Sequence, residues 1–316
     1  GGSGGGRQCL MEVQNYPEDY DGVWASCPAI NWHKFLMGGY WPEVVMQEQN
    51  HFLNAKKNQF FLEAVWNENG GRDKYFHLDT CKEFDPYRYV GTKTKGGIIT
   101  DKDAAVMKDI LDGPRRANGE QMWYGFRPGV QNWQCVIPIG TYYYPLFGHR
   151  IKPFALGPIY IRWITNHPKD NFKQMTRQQY ETLYDTGLEK FSDNLGDNPA
   201  IDAFVERGGK LMIDHGIDDP LIPVDGTLDY LQKVKEHFGG WKALDKFLRV
   251  YITPGDNHGN CQGNGPGLTE SDGMRALMAW VEDGCVPEEM RKVRVDRKTG
   301  ETLEEGMEAP FRLEDE

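Results

Sequence analysis

Residues 1–8 read Gly1-Gly2-Ser3-Gly4-Gly5-Gly6-Arg7-Gln8. The first five fit G-x-S-x-G, the sharp strand-to-helix turn that lifts a serine hydroxyl to the top of a parallel sheet. Glycine two residues to either side of Ser3 lets neighbouring backbones approach such a strained turn. The helix that follows would aim its positive end and its unpaired N–H groups at the serine, with the amide of Gly4 as a donor to a developing oxyanion. The same glycines are also what a flexible linker looks like. A phosphate loop is disfavoured, because no Gly-Lys-Ser/Thr follows. Ser3 as nucleophile therefore depends on partners elsewhere in the chain.

Working outward, residues 6–14 can form the helix that the turn requires, and Tyr20 to Pro28 reads as a short buried strand. Far downstream, residues 208–216 have an apolar centre bounded by glycines, and Phe247 to Gly255 is an apolar run stopped at Pro254. Both read as buried strands. Between them Thr227 is placed to cap a helix with Leu228, Leu231, Val234 and Phe238 on one face. A closing helix from about Ser271 presents Met274, Leu277, Met278 and Val281, with Gly284 as C-cap. Strands alternating with helices predict a parallel sheet covered by helices.

The middle of the chain has a different texture. It holds most of the tryptophans and tyrosines, many turns, and helices without a βαβ rhythm; the clearest is capped by Thr100 and carries Ala104, Met107, Ile110 and Leu111. The expected fold class is therefore α/β: a partial hydrolase-type core with a mostly parallel sheet, residues 1–30 and 205–316, with a large lid domain, residues 31–204, inserted into it. The charged tail from Arg291 is expected on the surface or partly disordered.

Composition narrows the function. The 316 residues are 39% hydrophobic and 26% charged, as in a globular domain. A net charge of −11 argues against a nucleic-acid partner. No apolar run approaches the roughly 20 residues that span a bilayer. The aromatic fraction of 12% suits a pocket for flat ligands. Cys9, Cys27, Cys81, Cys135, Cys261 and Cys285 are widely spaced with no CxxC pair, so a zinc ribbon or a thioredoxin site is unsupported. One or two disulfides and six buried thiols both remain open.

A serine hydroxyl needs a base, and the base needs an orienting carboxylate. In folds with this elbow the chain order is Ser, acid, His, with acid and base each just beyond a strand. Asp219 follows the strand ending at Asp214, in His215-Gly-Ile-Asp-Asp-Pro-Leu-Ile-Pro, and His258 follows the strand ending at Thr253, in Pro254-Gly-Asp-Asn-His-Gly. Asp214 and Asp218 compete for the acid. His33, His51, His77, His149 and His167 lie in the middle block, and His215 reads as structural.

The run Ser3-Gly-Gly-Gly-Arg-Gln, with Pro17-Glu-Asp-Tyr-Asp-Gly-Val, Pro28-Ala-Ile-Asn-Trp, Asp112-Gly-Pro-Arg-Arg-Ala-Asn-Gly and Arg207-Gly-Gly-Lys-Leu, resembles the tannase/feruloyl esterase family. The His215 segment, Gly263-Asn-Gly-Pro-Gly and Trp280-Val-Glu-Asp-Gly-Cys-Val-Pro extend the match in order to about residue 290. The resemblance implies an α/β-hydrolase with a large lid, secreted, hydrolysing esters of aromatic acids such as gallate or hydroxycinnamates. Carried over by position, it implies Ser3, Asp219 and His258 as the triad, with Asp219 selected over its neighbours as the residue before Pro220.

Three departures from the family pattern stand out. The family pairs a Cys before the nucleophile with a Cys after the His; here the first position is Gly2, so Cys261 is expected free or paired elsewhere. A His258-x-x-Cys261 metal site lacks further ligands at suitable spacing, and no metal is expected at the centre. Many family lids bind calcium through an Asp-rich loop; here the region reads Asn67-Glu-Asn-Gly-Gly-Arg-Asp73, whose oxygens could still hold calcium or simply form a polar turn. The strands that usually precede the elbow, and the second oxyanion donor one of their loops supplies, are not in the sequence. The expectation is that this polypeptide alone is weakly active or inactive unless an N-terminal partner chain completes the fold.

In the expected reaction His258 deprotonates Ser3, Asp219 steadies the imidazolium, the Gly4 amide holds the oxyanion, and water releases the acid. Trp123, Tyr124, Phe126 and Trp133 are candidate linings of the acyl pocket, with Arg127 for a polar or anionic substituent and Ile222 beside the acid. Ordinary core packing is their alternative role. No cofactor is required. A carboxylesterase for other acyl groups, a non-catalytic binding protein on the same architecture, and a structural subunit that pairs through its sheet edge are the alternatives.

Overall fold

Short apolar runs stopped by glycine or proline build the central sheet. The structure, a computed structural model, describes residues 1–71, 75–78, 83–130, 141–144, 148–151, 156–167, 175–259, 261 and 263–313. In chain order its elements are α1 (Gly4–Asn15), β1 (Gly22–Ser26), α2 (Trp32–Glu48), α3 (Ala55–Glu68), β2 (Lys93–Thr94), β3 (Gly97–Ile98), α4 (Asp101–Asp112), β4 (Thr141–Tyr144), β5 (Gly148–Ile151), α5 (Leu156–Thr165), α6 (Arg177–Lys190), α7 (Asp202–Glu206), β6 (Lys210–Gly216), α8 (Val224–Phe238), α9 (Trp241–Leu244), β7 (Leu248–Thr253), β8 (Gly267–Leu268), α10 (Glu270–Asp283), β9 (Met290–Val295) and β10 (Thr302–Glu308). They fall into two compact units, one of Gly1–Asn31, Tyr75–His77 and Leu195–Glu316, the other of Trp32–Lys74 and Leu78–Asn194.

The first unit holds a parallel sheet in the order β1-β6-β7. Every residue of β7 is buried, and so is β6 beyond Lys210, which is why each has an apolar centre, Leu211–Ile213 and Val250–Ile252, rather than strict alternation. The first residues of the chain extend this sheet. Gly2 bridges Ser26 in parallel, Ser26 N–H donates to Gly1 O at 3.0 Å, and Ser3 N–H donates to Ser26 O at 3.0 Å. The serine thus leaves the sheet alongside the C-terminal end of β1.

Helix α10 lies on β1 because two glycines allow it. A methyl at Gly22 would sit 2.7 Å from Val281 Cγ2, and one at Gly273 would sit 2.3 Å from the Trp24 ring. Trp24, Met212, Tyr251, Leu268, Leu277, Trp280 and Met290 form the core beneath. The buried face of α10 is therefore Gly273, Leu277 and Trp280, while Met274 and Met278 are about half exposed, at 48% and 50%. Of the expected face, Leu277 is buried and Val281 packs against the core, while Trp280 and Gly273, not the two methionines, fill the rest of the space over the sheet. Helix α8 also starts earlier than expected, at Val224 behind Pro223. Thr227 is thus inside the helix and buried, not its cap.

Within the charged tail, Met290–Val295 and Thr302–Glu308 are strands, mostly half-buried or exposed as expected of the surface. β8, β9 and β10 form an antiparallel sheet. Alternate charges that read as solvated pair across it instead, Arg291 with Glu305 at 2.8 Å and Lys292 with Glu308 at 2.6 Å. Opposite charges directly across a ladder support pairing.

The second unit is helical, with two small hairpins, β2-β3 and β4-β5. Helix α2 is buried without interruption from Phe35 to Met46 and packs against α4, α5 and α6. A helix apolar on all sides has to sit inside such a bundle. Helix α4 begins with the expected cap. Thr100 Oγ1 accepts from Asp103 N–H at 3.2 Å, and Asp103 Oδ2 accepts from Thr100 N–H at 2.8 Å. No helix of the described residues is long and apolar enough to cross a membrane.

Candidate active site

Ser3 caps α1 with φ 59° and ψ −122°. A non-glycine residue in that region stores on the order of 1–3 kcal/mol of strain and persists only where its surroundings over-determine it. Here they do. Besides the bond from Ser3 N–H, its carbonyl accepts from Arg7 N–H at 3.1 Å and from Ala29 N–H at 3.0 Å. Gly4 opens the helix, so its N–H has no acceptor within it. Of the surrounding glycines, Gly6 is the one that packing demands. A Cβ there would lie 2.7 Å from Ser26 O and 2.9 Å from Pro28 Cα, whereas one at Gly5 meets nothing within 4 Å. The close approach falls one residue later than the motif suggests, where the first turn of α1 crosses the end of β1.

The acid and the base come from the loops after β6 and β7. Asp219 is buried, and its Oδ1 accepts from the N–H groups of Leu221 at 2.8 Å and Ile222 at 3.0 Å. Its Oδ2 faces His258 Nδ1 at 2.7 Å and His215 Nε2 at 3.3 Å. Burial works against a charged carboxylate here, but the bonds from His215 and His258 outweigh it and hold Asp219 down to about 2. For His258, burial again opposes the charged form, while the bonds to Asp219 and Cys27 raise its pKa to about 10. A backbone bond from Asp218 N–H to Asp256 O, 3.0 Å, ties the two loops together.

The competing acids face elsewhere. Asp214 accepts from Trp24 Nε1 at 2.6 Å and from Ser26 Oγ at 3.0 Å, and burial pushes it up to about 6. Asp218 has two buried oxygens without a partner among the described residues, and burial pushes it to about 7. His215 is fully buried; Nε2 lies 3.0 Å from Ile222 O and Nδ1 2.8 Å from Thr227 Oγ1. A carbonyl only accepts, so Nε2 donates to it. The two contacts brace the acid loop.

The structure brings Asp219 and His258 together. The Ser3 hydroxyl forms no hydrogen bond with a described residue. Ser3 and His258 share a wall, the segment Ser26–Cys27. Ser3 N–H bonds Ser26 O, Cys27 contacts the His258 ring, and a Cβ on Gly259 would be 2.9 Å from Ser26 Oγ and 3.0 Å from Cys27 Sγ. Cys27 is the site residue that sequence reasoning passed over, although it carried a usable signal, since it directly follows the strand beside the elbow. His215, read as structural, braces the acid loop.

The remaining candidates are placed unevenly. Ile222 is buried, with its N–H on Asp219 and its carbonyl on His215. Within the second unit Trp123 is buried against Gly38 and pairs edge-on with Tyr124, which is 40% exposed. Phe126 is buried, and Arg127 Nη1 donates to Leu78 O at 3.2 Å. Trp133, Cys81, Cys135 and Asp73 lie outside the described residues. In the candidate calcium loop Asn67 and Glu68 end α3, and Asn69 Nδ2 donates to Val65 O at 2.8 Å. Cys261 is a buried free thiol that donates to Leu268 O at 3.0 Å, and burial pushes it up to about 12.

A family model described as tannase and feruloyl esterase matches residues 1–307. A probable feruloyl esterase of Arthroderma benhamiae is 32% identical over 321 residues, covering 96% of this chain and 57% of that protein. The chain thus spans a little under three-fifths of that relative's length. Among solved structures, a tannin acyl hydrolase from Aspergillus niger aligns with TM-score 0.82 and 20% identity over 98% of this chain and 60% of that one. A feruloyl esterase B from Aspergillus oryzae aligns with TM-score 0.81 and 19% identity over 98% and 63%. At such identities the two structures speak for the fold alone, and the family assignment rests on the match along almost the whole sequence: the chain belongs to the tannase and feruloyl esterase family.

Proposed function

We propose that this chain carries the catalytic residues of a serine esterase acting on carboxylic esters of aromatic acids. The observation that carries the reading is the Asp219–His258 bond of 2.7 Å, in the same unit as a serine held at φ 59° on the first turn of a helix. In the proposed reaction, His258 takes the Ser3 proton as Oγ attacks the ester carbonyl. Asp219 stabilises the imidazolium, and the free N–H of Gly4 helps hold the oxyanion. The imidazolium protonates the departing alcohol, leaving an acyl group on Ser3. Water, deprotonated by the same imidazole, attacks that acyl group and frees the acid. Hydrogen bonds of this kind often close only with substrate present, which accommodates the free Ser3 hydroxyl.

The acyl group is proposed to be gallate or a hydroxycinnamate, with Trp123, Tyr124, Phe126, Trp133 and Arg127 contributing to its pocket. Calcium in the second unit and secretion belong to the same proposal. Fluorophosphonate labelling tests the core of it, with modification mapped to Ser3 and abolished in Ser3→Ala. Hydrolysis of methyl gallate and methyl ferulate, compared with simple alkyl-acid esters, separates the aromatic reading from a carboxylesterase of other specificity. Absence of both labelling and turnover, with or without the upstream segment of a relative, would leave a non-catalytic binding protein.

A further inference from the structure

Cys27 holds an unusual position. It is 2% exposed, has φ 35°, and its N–H donates to Asp214 O at 2.7 Å. A non-glycine residue at positive φ is uncommon outside Asn and Asp. The thiol is therefore aimed by the backbone rather than by its own rotamer freedom. Its Sγ, a ring nitrogen of His258 and a carboxylate oxygen of Asp219 all lie within 4.8 Å of one another. Gly259 keeps the space open, since a Cβ there would stand 3.0 Å from Sγ.

We propose that Cys27, His258 and Asp219 form an inhibitory site for a soft or borderline divalent cation, of the class of Zn²⁺ or Cd²⁺. One thiolate, one imidazole and one carboxylate are the donors such ions take, at about 2.0–2.3 Å each. Tetrahedral geometry at those lengths places donors roughly 3.3–3.7 Å apart. The Asp219–His258 pair is already closer than that at 2.7 Å, so side-chain adjustments of about 1 Å close the set. Ca²⁺ and Mg²⁺ require six or more oxygens and have no such cage here. On binding, the Cys27 S–H proton leaves to solvent, a metal–sulfur bond replaces it, and His258 commits a ring lone pair to the metal. A ring so committed cannot accept the Ser3 proton. Binding itself follows from the geometry alone; its consequence as inhibition rests on the serine-esterase reading.

The two are tested separately. Binding is read with Cd²⁺, whose thiolate bond has an ultraviolet charge-transfer band, in a background where Cys9 and Cys285, the less buried thiols among the described residues, and Cys81 and Cys135 are replaced by serine. One ion should bind, with affinity falling about ten-fold or more in Cys27→Ser and in His258→Ala, each checked for native circular dichroism. Equal affinity in Cys27→Ser and its parent, or equal displacement by Ca²⁺, overturns the site. Inhibition is read as the ratio of fluorophosphonate labelling rates with and without Zn²⁺, for the parent and for Cys27→Ser. The parent ratio should fall at least about ten-fold, with recovery in EDTA, and the Cys27→Ser ratio should stay near one. If Cd²⁺ binds at Cys27 but labelling is unchanged by it, the inhibitory role is overturned while the metal site stands. If the metal-free chain does not label, the esterase reading has failed instead.

Discussion

Replacing Asp219 by Asn separates charge from shape at the centre of the site. The amide oxygen can keep the two bonds that Oδ1 accepts from Leu221 and Ile222, so the loop holds its form. The amide nitrogen replaces Oδ2 and presents a donor to His258 Nδ1. The imidazole then answers with its other tautomer, protonated at Nε2, where the serine proton has to go. Burial opposes the charged ring, yet the bonds and charges around it take His258 from 6.5 to about 10. At about 1.4 kcal/mol per pH unit that is on the order of 5 kcal/mol in favour of the imidazolium, with Asp219 as its principal source. Losing it lowers the rate by roughly 10³–10⁴-fold, the size of the tautomer defect in a reference triad. The assay is the rate of Ser3 labelling by a fluorophosphonate, followed as a function of pH. A base has to be neutral, so the parent rate climbs through the neutral range toward about 10. The variant should react slowly throughout, with its profile moved toward the ordinary imidazole value. A variant within about ten-fold of the parent, on an unshifted profile, would refute the argument that His258 draws its basicity from Asp219.

Three further outcomes follow from the geometry. Gly6→Ala places a methyl 2.7 Å from Ser26 O and should cost about 1–3 kcal/mol in urea unfolding with slowed Ser3 labelling; Gly5→Ala, with open space, should leave labelling intact. Asp256 is a buried carboxyl pushed up to about 8 by burial and by the charge of Asp214. The folded state holds its proton more tightly than the unfolded chain does, so stability is full below 3.8 and declines as pH rises toward about 8. Asp256→Asn should flatten that decline, and an unfolding midpoint with unchanged pH dependence would count against it. His215→Ala removes the brace between Thr227 and the Ile222 carbonyl, and should lower stability by about 1–3 kcal/mol together with the labelling rate.

The buried strands were legible because strands covered on both faces become continuous apolar runs with glycine and proline at their ends. Helices with a clear capping residue were legible too, as the Thr100 hydroxyl at the start of α4 and the left-handed Gly284 at the end of α10 show. What sequence alone missed depends on long-range partners. The charged stretch after Met290 looks solvated in one dimension, and only the pairing of Arg291 with Glu305 and Lys292 with Glu308 makes it a sheet. The buried face of α10 is set by the hole that Gly22 leaves, thus by a residue some 250 positions away. Thr227 satisfies the local pattern of a cap, yet the helix starts a turn earlier because His215 takes its hydroxyl inside the core.

Local sequence also left the acid undecided among three aspartates, and Asp219, the one that bonds His258 in space, differs from the others in its donors. Asp214, Asp218, Asp219 and Asp256 are all buried at the ends of β6 and β7 and in the loops beyond them. Four carboxylates so placed cannot all ionise, since each charge raises the cost of the next. Asp219 receives two backbone N–H groups and faces two imidazoles, and it is held down to about 2. Asp214 receives an indole and a hydroxyl and sits near 6. Asp218, with no partner among the described residues, and Asp256, with one oxygen unsatisfied and Asp214 nearby, are pushed to about 7 and 8. Among Asp219, Asp214 and Asp218 acidity falls as donors are lost, and Asp256 lies highest because the charge of Asp214 adds to its burial. The most acidic of the four is thereby the one beside His258, and Asp218 and Asp256 hold their protons more tightly than an ordinary carboxyl.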